Sequence, residues 1–266
     1  MQSIRQAAVA GLFYPENPGA LRQQVNTYLH EARHYELSPK ALIVPHAGYI
    51  YSGEIAATAY ATLQPSAREI RRVILLGPAH RVAVRSLALP DSDAFETPLG
   101  CVKIDMESAR AIRHLPQVTV SAEAHALEHS LEVQLPFLQS VLTDFTLLPL
   151  LVGSATENEV AEVLECLWGD EETLIVVSSD LSHYLPYPLA RITDEKTVQS
   201  ILNFEQSISH ERACGGTPIG GLMRAAKHHR LVPRLLDLRN SGDTAGSRDR
   251  VVGYASIAYT EGHHVH

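Results

Sequence analysis

The sequence predicts an α/β protein, a three-layer sandwich in which helices cover both faces of a central mixed sheet. Three observations carry that expectation. Largely apolar runs at 41–44, 73–76, 145–152 and 173–177 have the length and composition of strands buried on both faces. Segments with apolar residues at helical spacing alternate with them through most of the chain. Three of the runs then break at Pro, Gly or Ser and present polar residues: His46, His80, and Asp180 with His183. Open α/β sheets bind ligands just beyond the carboxyl ends of their strands.

The elements follow in order. Residues 1–20 read as an irregular lead-in with an aromatic turn at Gly11-Leu12-Phe13-Tyr14-Pro15. Leu21, Val25 and Leu29, four residues apart, predict a helix over 18–32. The first core strand leads to His46, and Ser52 is the expected N-cap of a helix across 54–63. The second core strand ends at His80. Turn signals at Pro90-Asp91 and Pro98-Leu99-Gly100 punctuate two short strands, 86–89 and 102–104, and a helix is expected at 106–114. Leu127, Leu131, Leu135, Leu138 and Leu142 mark one amphipathic helix that Pro136 kinks or divides. A strand at 145–152, a helix at 157–167, a strand at 173–180 and a helix at 193–208 come next. Pro218 stands near the first turn of a helix after Cys214. Strands at 233–238 and 251–259 flank the turn-rich Asn240-Ser241-Gly242-Asp243.

With 266 residues, no internal repeat and no Pro/Gly/Ser-rich linker, the chain is expected to form one domain over 1–266. A net charge of -8 and a pI near 5.9 argue against nucleic acid as a partner. No stretch reaches transmembrane length, and Met1 to Gln6 has no apolar signal core, so no membrane association is expected. Three cysteines, Cys101, Cys166 and Cys214, suit a reducing compartment, hence a cytoplasmic protein. Of the 14 histidines, His263, His264 and His266 sit in the tail, where metal uptake would be adventitious.

The chemistry gathers in a few places. His46 or His80 alone would pass for a loop histidine. The repeated strand-then-His pattern instead points to a shared metal site, since neutral imidazole is the commonest metal ligand. In Glu128-His129-Ser130-Leu131-Glu132, His129 and Glu132 are three apart and would share a helix face. That spacing suits a metal ligand with a supporting carboxylate, or a proton-transfer pair, although Glu128-His129 alone reads as a solvated helix face. Asp180 and His183 are either a strand-end turn or part of the same site. Cys214, before Gly215-Gly216-Thr217-Pro218, lies at a helix entrance where a thiolate would be stabilised, unlike the inert buried thiol that most free cysteines are.

These strings together resemble one family. Val44-Pro45-His46-Ala47-Gly48-Tyr49 with Tyr51-Ser52-Gly53, Leu76-Gly77-Pro78-Ala79-His80, Glu128 to Glu132, Ser178-Ser179-Asp180-Leu181-Ser182-His183 and Cys214 to Gly220 are similar to the Memo family. Its bacterial and archaeal members are called AmmeMemoRadiSam system protein B. Asn240-Ser241-Gly242-Asp243 and Val251-Val252-Gly253-Tyr254 resemble its C-terminal blocks. The resemblance implies the fold of class III extradiol dioxygenases, the LigB-like non-haem iron enzymes. By position it makes His46 and His80 metal ligands and His183 the acid/base. Cys214 falls where those dioxygenases use a carboxylate. That thiol is softer, so Zn or Cu joins Fe(II), the metal first implied, and it is also open to oxidation. Position 217 is Thr where some relatives have His, and it is not counted as a ligand.

Three functions follow as expectations. The first is an Fe(II)-dependent redox enzyme for a small-molecule substrate, with His46, His80 and Cys214 on the metal and His183 moving protons. Asp180, His129 and Glu132 would then orient substrate or ligands. The second is a zinc hydrolase with His183 or Glu132 as base. The third is a non-catalytic metal- or peptide-binding module, because eukaryotic relatives are regarded as signalling adaptors. A peptide or protein partner and a homo-oligomer both remain open at this stage.

Overall fold

The computed structural model describes residues 3–205 and 207–262. The tail histidines His263, His264 and His266 lie outside the described residues, as does position 206 in the expected 193–208 helix.

The first half of the chain forms β1 (Ile4–Arg5), α1 (Pro18–Glu31), β2 (Ala41–Val44), α2 (Tyr49–Tyr60) and β3 (Arg72–Pro78). The strands β4 (Leu87–Leu89), β5 (Ala94–Thr97) and β6 (Gly100–Lys103) follow, then α3 (Met106–Ile112), β7 (Val118–Val120), α4 (Ala122–Ala126) and α5 (Leu135–Val141). The second half forms β8 (Thr146–Val152), α6 (Glu157–Leu167), β9 (Thr173–Ser178), β10 (His183–Leu185) and α7 (Tyr187–Leu202). It ends with α8 (Gly216–His228), β11 (Leu231–Asn240) and β12 (Val251–Glu261).

The main sheet runs β10-β12-β2-β9-β3-β8-β4-β7, with β11 paired to β12, and it is mixed. Its centre is parallel: β9 lies between β2 and β3, with Val44 opposite Ser178 and Leu76 opposite Val177. The pairings of β12 with β2 and of β4 with β8 are antiparallel. A small sheet, β1-β5-β6, stands apart.

Alternate residues of the central strands feed two different cores. Leu42, Val44, Leu75 and Val176 pack with α1, α2 and α5 on one face. Ala41, Ile43, Ile74 and Val177 pack with α3, α6, α7 and α8 on the other. Burial on both faces is what unbroken apolar runs demand, and helices cover both sides as expected. Among the described residues, no helix is long and apolar enough to cross a membrane.

Several expectations are corrected. α2 starts at Tyr49, with Gly48 as N-cap. Ser52 lies inside the helix, where its hydroxyl donates to the Ala47 carbonyl at 3.0 Å. The buried Tyr49, whose hydroxyl donates to the Val133 carbonyl at 2.7 Å, draws the first turn inward. α7 begins six residues earlier than expected, with Pro188 accommodated in its first turn. The short strands β1, β5, β7 and β10 were not expected from the sequence.

The largest error concerns the leucine stripe. Instead of one helix there are α4, a turn, a 3-10 turn at Glu132–Gln134, and α5. Glu128 and Glu132 take backbone N–H groups of other segments as partners, and such bonds compete with helix formation. Leu127 consequently points to solvent at 67% exposed, while Leu135 is fully buried. Leu135→Ala should therefore cost about 2–5 kcal/mol and Leu127→Ala less than about 0.5. Urea unfolding midpoints check this; equal losses would restore the continuous amphipathic helix.

Candidate metal centre

The carboxyl ends of β2, β9 and β3 place His46, Asp180 and His80 along one edge. The turn between α4 and the 3-10 turn brings His129 to them. One ligand nitrogen from each of His46, His80 and His129 lies within 4.8 Å of the other two. The His80 and His129 rings stack at 4.9 Å and 17°, and His46 meets both edge-on. Gly77 makes the approach possible: a Cβ there would stand 2.9 Å from Ser130 Oγ and 2.8 Å from Leu131 Cδ2.

Hydrogen bonds set the tautomers. Ser178 Oγ donates to the Ser130 carbonyl at 2.5 Å and accepts from Gln134 Nε2 at 2.8 Å. Its proton is thus committed, so His46 Nδ1, 2.9 Å away, is the donor to it and Nε2 keeps the lone pair. His80 Nδ1 likewise donates to Glu128 Oε1 at 2.9 Å, leaving its Nε2 free. Burial pushes the Glu128 carboxyl up, but bonds from the His80 ring, Ser130 N–H and His80 N–H outweigh it and hold it at about 2. His129 Nδ1 is buried without a hydrogen-bond partner and stands 3.4 Å from Glu128 Oε1. Burial lowers the pKa of His129 to about 4 and that of His46 well below the usual range, with each other's and His80's charge acting in the same sense on His46. His46 and His129 are thus held as neutral imidazoles.

Cys214 and Asp180 adjoin it. Cys214 Sγ lies 3.3 Å from His46 Nε2, and Asp180 Oδ2 lies 4.0 Å from the same atom. Asp180 Oδ1 accepts the His46 backbone N–H at 2.8 Å. Burial raises the Asp180 carboxyl to about 7 against the pull of that bond. The helix entrance was expected to stabilise a Cys214 thiolate. Burial instead pushes the thiol up to about 12, aided by the Asp180 charge, because the N-terminal turn of α8 cannot offset the loss of water. His183 is half-buried on β10, and its Nδ1 donates to the Leu181 carbonyl at 2.8 Å. A backbone carbonyl thus orients the ring. Thr217 stands off, its hydroxyl 3.2 Å from His210 Nε2.

Glu132 does not share a helix face with His129. Its fully buried carboxylate is bonded to the Arg5 guanidinium, Ala8 N–H (2.8 Å), Val9 N–H (3.0 Å) and Tyr14 hydroxyl (2.5 Å). Those four donors use its lone-pair sites, so it anchors the lead-in to the sheet edge. The carboxylate that does serve a histidine is Glu128, which the sequence reading treated as a solvated face although it is 2% exposed. Gln134 was passed over too; it ties the Pro45 carbonyl (2.9 Å) and Ser178 to the Tyr60 hydroxyl. Proximity to His129 was the only signal for Glu128, and Gln134 gave none.

Fold and site together define a mixed-sheet α/β protein with a histidine cluster at the carboxyl edge of its parallel strands, His46 buried, His129 half-buried and His80 exposed. The model of the Memo-like protein family matches residues 5–258, and the chain belongs to that family. A MEMO1 family protein of Aquifex aeolicus is 36% identical over 269 residues, covering 96% of this chain and 99% of the relative. One from Methanosarcina barkeri is 36% identical over 268 residues, with the same coverage. The crystal structure of an uncharacterized Escherichia coli K12 protein shares the fold at a TM-score of 0.50 and 15% identity, covering 80% of this chain and 98% of that one.

The scaffold beneath the cluster carries a pH dependence. His125 Nε2 donates to the Ala88 carbonyl at 2.8 Å, and burial lowers its pKa to about 4 against that bond. Unfolded, it takes up a proton near 6.5. Between those values the unfolded state binds more protons, so stability falls as pH falls. Relative to His125→Gln, the wild type should lose roughly 1.4 kcal/mol per pH unit from 6.5 down to 4, and nothing above 7. Denaturant melts of both proteins across this range check it; a constant difference would contradict it.

Proposed function

We propose that the chain is a Memo-family metal enzyme, a non-haem Fe(II)-dependent, dioxygenase-like oxidoreductase of a small-molecule substrate. We take it further as a single cytoplasmic domain of the LigB-like, class III extradiol kind; its three unpaired cysteines and its strand-edge histidines support that. The observation carrying the reading is the meeting of His46, His80 and His129 beside Cys214, with the distal nitrogens of His46 and His80 tied to Ser178 and Glu128.

The donors fit a cation. The imidazoles of His46 and His129 are held neutral, His46 Nε2 faces the Cys214 sulfur, His80 Nε2 is the ring nitrogen not bonded to Glu128, and His129 Nδ1 is buried without a partner. His46, His80 and Cys214 would hold the metal, with His129 as a further nitrogen. When bound, such a metal supplies a redox-active centre with open coordination positions. His183 takes and returns a substrate proton at Nε2, because its Nδ1–H is committed to Leu181. Asp180 holds the turn that carries His46. A zinc hydrolase with His183 as base is the second reading. The thiol 3.3 Å from His46 Nε2 favours it, since mixed N and S donors suit zinc as well as iron.

Metal analysis of anaerobically purified protein tests the reading. Iron is expected in the wild type, zinc under the second reading, and loss of metal in His46→Ala and Cys214→Ser. His183→Ala should keep its metal and lose about 10²–10⁴-fold in turnover. Wild-type metal content in both ligand variants removes them as ligands, and loss of metal in His183→Ala overturns its assigned role.

A further inference from the structure

A second group of ligating side chains lies on the surface between α6 and α8. The two oxygens of Glu165, on α6, each meet a different imidazole. His228 Nδ1 is 2.9 Å from Oε1, and His229 Nε2 is 2.9 Å from Oε2. All three ligand atoms fall within 4.8 Å of one another. The histidines are neighbours at the C-terminal end of α8, roughly 20 Å along that helix from Cys214, so this group is separate from the His46 cluster. Consecutive residues on a helix normally point apart. Here they converge because one uses Nδ1 and the other Nε2.

The arrangement is held before any ion arrives. The His229 ring stacks on Trp168, with centroids 3.8 Å apart and planes at 7°. Trp168 caps the C-terminus of α6, the helix that carries Glu165. The stack fixes the plane of His229 with Nε2 toward the carboxylate. Side-chain exposures of 72% for His228, 30% for His229 and 34% for Glu165 leave the group open to solvent, with room for water to complete a coordination sphere. Two imidazoles and one carboxylate suit borderline divalent ions better than Mg²⁺ or Ca²⁺, which take oxygen donors.

We propose that Glu165, His228 and His229 form a second divalent-cation site, for an ion of the Zn(II), Cu(II) or Ni(II) class, which clamps α6 to α8. In the ion-free state the two ring N–H groups donate to Glu165. On binding, the ring protons shift through solvent to His228 Nε2 and His229 Nδ1, and His228 Nδ1, His229 Nε2 and the Glu165 carboxylate become the ligands.

Trp168 is the only tryptophan in the chain and lies against one ligand, so its fluorescence reports on this site directly. The full-length protein is titrated with Cu(II), a quencher, at neutral pH. Wild type should show saturable quenching. Glu165→Gln and His228→Ala both leave the Trp168–His229 stack in place, and each should raise the midpoint by at least about tenfold, the loss that even an outer-shell partner causes. His46→Ala should quench as wild type does. Absence of quenching, unchanged midpoints in both surface variants, or loss of the quench in His46→Ala would each overturn the proposal.

Discussion

Glu128 carries its charge in the interior, at 2% exposure, and everything near it is arranged to make that tolerable. Four donors point at its two oxygens: the backbone N–H groups of His80, His129 and Ser130, and the His80 ring. A buried carboxylate without such partners would cost several kcal/mol. The turn at 128–131 therefore cannot continue as helix, since its N–H groups are spent on a side chain. His80 has little choice of position either, being held at both its backbone and its ring. Arg5 closes the structure from below, donating to the Glu128 carbonyl at 2.6 Å and to the Glu132 carboxylate. The irregular lead-in is thereby made part of the site's foundation.

Two neighbouring glutamates thus divide the labour. Glu132 spends every lone pair on β1, the following loop and Tyr14. Glu128 spends its own on the segment that bears the histidines. Above them, burial disfavours charge on His46, His129 and the Cys214 thiol together. A cation would satisfy nitrogens and sulfur that otherwise face one another. A metal would have to displace the proton of a Cys214 thiol pushed up to about 12, so coordination through its sulfur would strengthen as pH rises.

The sequence made the architecture legible where physics is local. Buried parallel strands have to be apolar on both faces, so β2, β3, β8 and β9 stood out, and with them the edge to which His46, His80 and Asp180 are delivered. Tertiary bonds hid the rest. The leucines at 127–142 carry a helical period, yet Glu128 and Glu132 break it by reaching residues some 48 and 124 positions away. Gln134 looked like any polar residue on that stripe, although it joins β2, β9 and α2. Cys214 was read from its place at a helix start, but desolvation outweighs that effect once β9 and its following loop close over it.

Glu128 fixes the ring of His80, a proposed metal ligand, through its Nδ1–H. Glu128→Gln keeps the shape and removes the charge, and anaerobic titration with Fe(II) or Zn(II) against a competing chelator measures the consequence. Affinity should fall about 10–100-fold, the usual effect of losing an outer-shell carboxylate. Wild-type affinity in a folded Glu128→Gln protein would contradict the account.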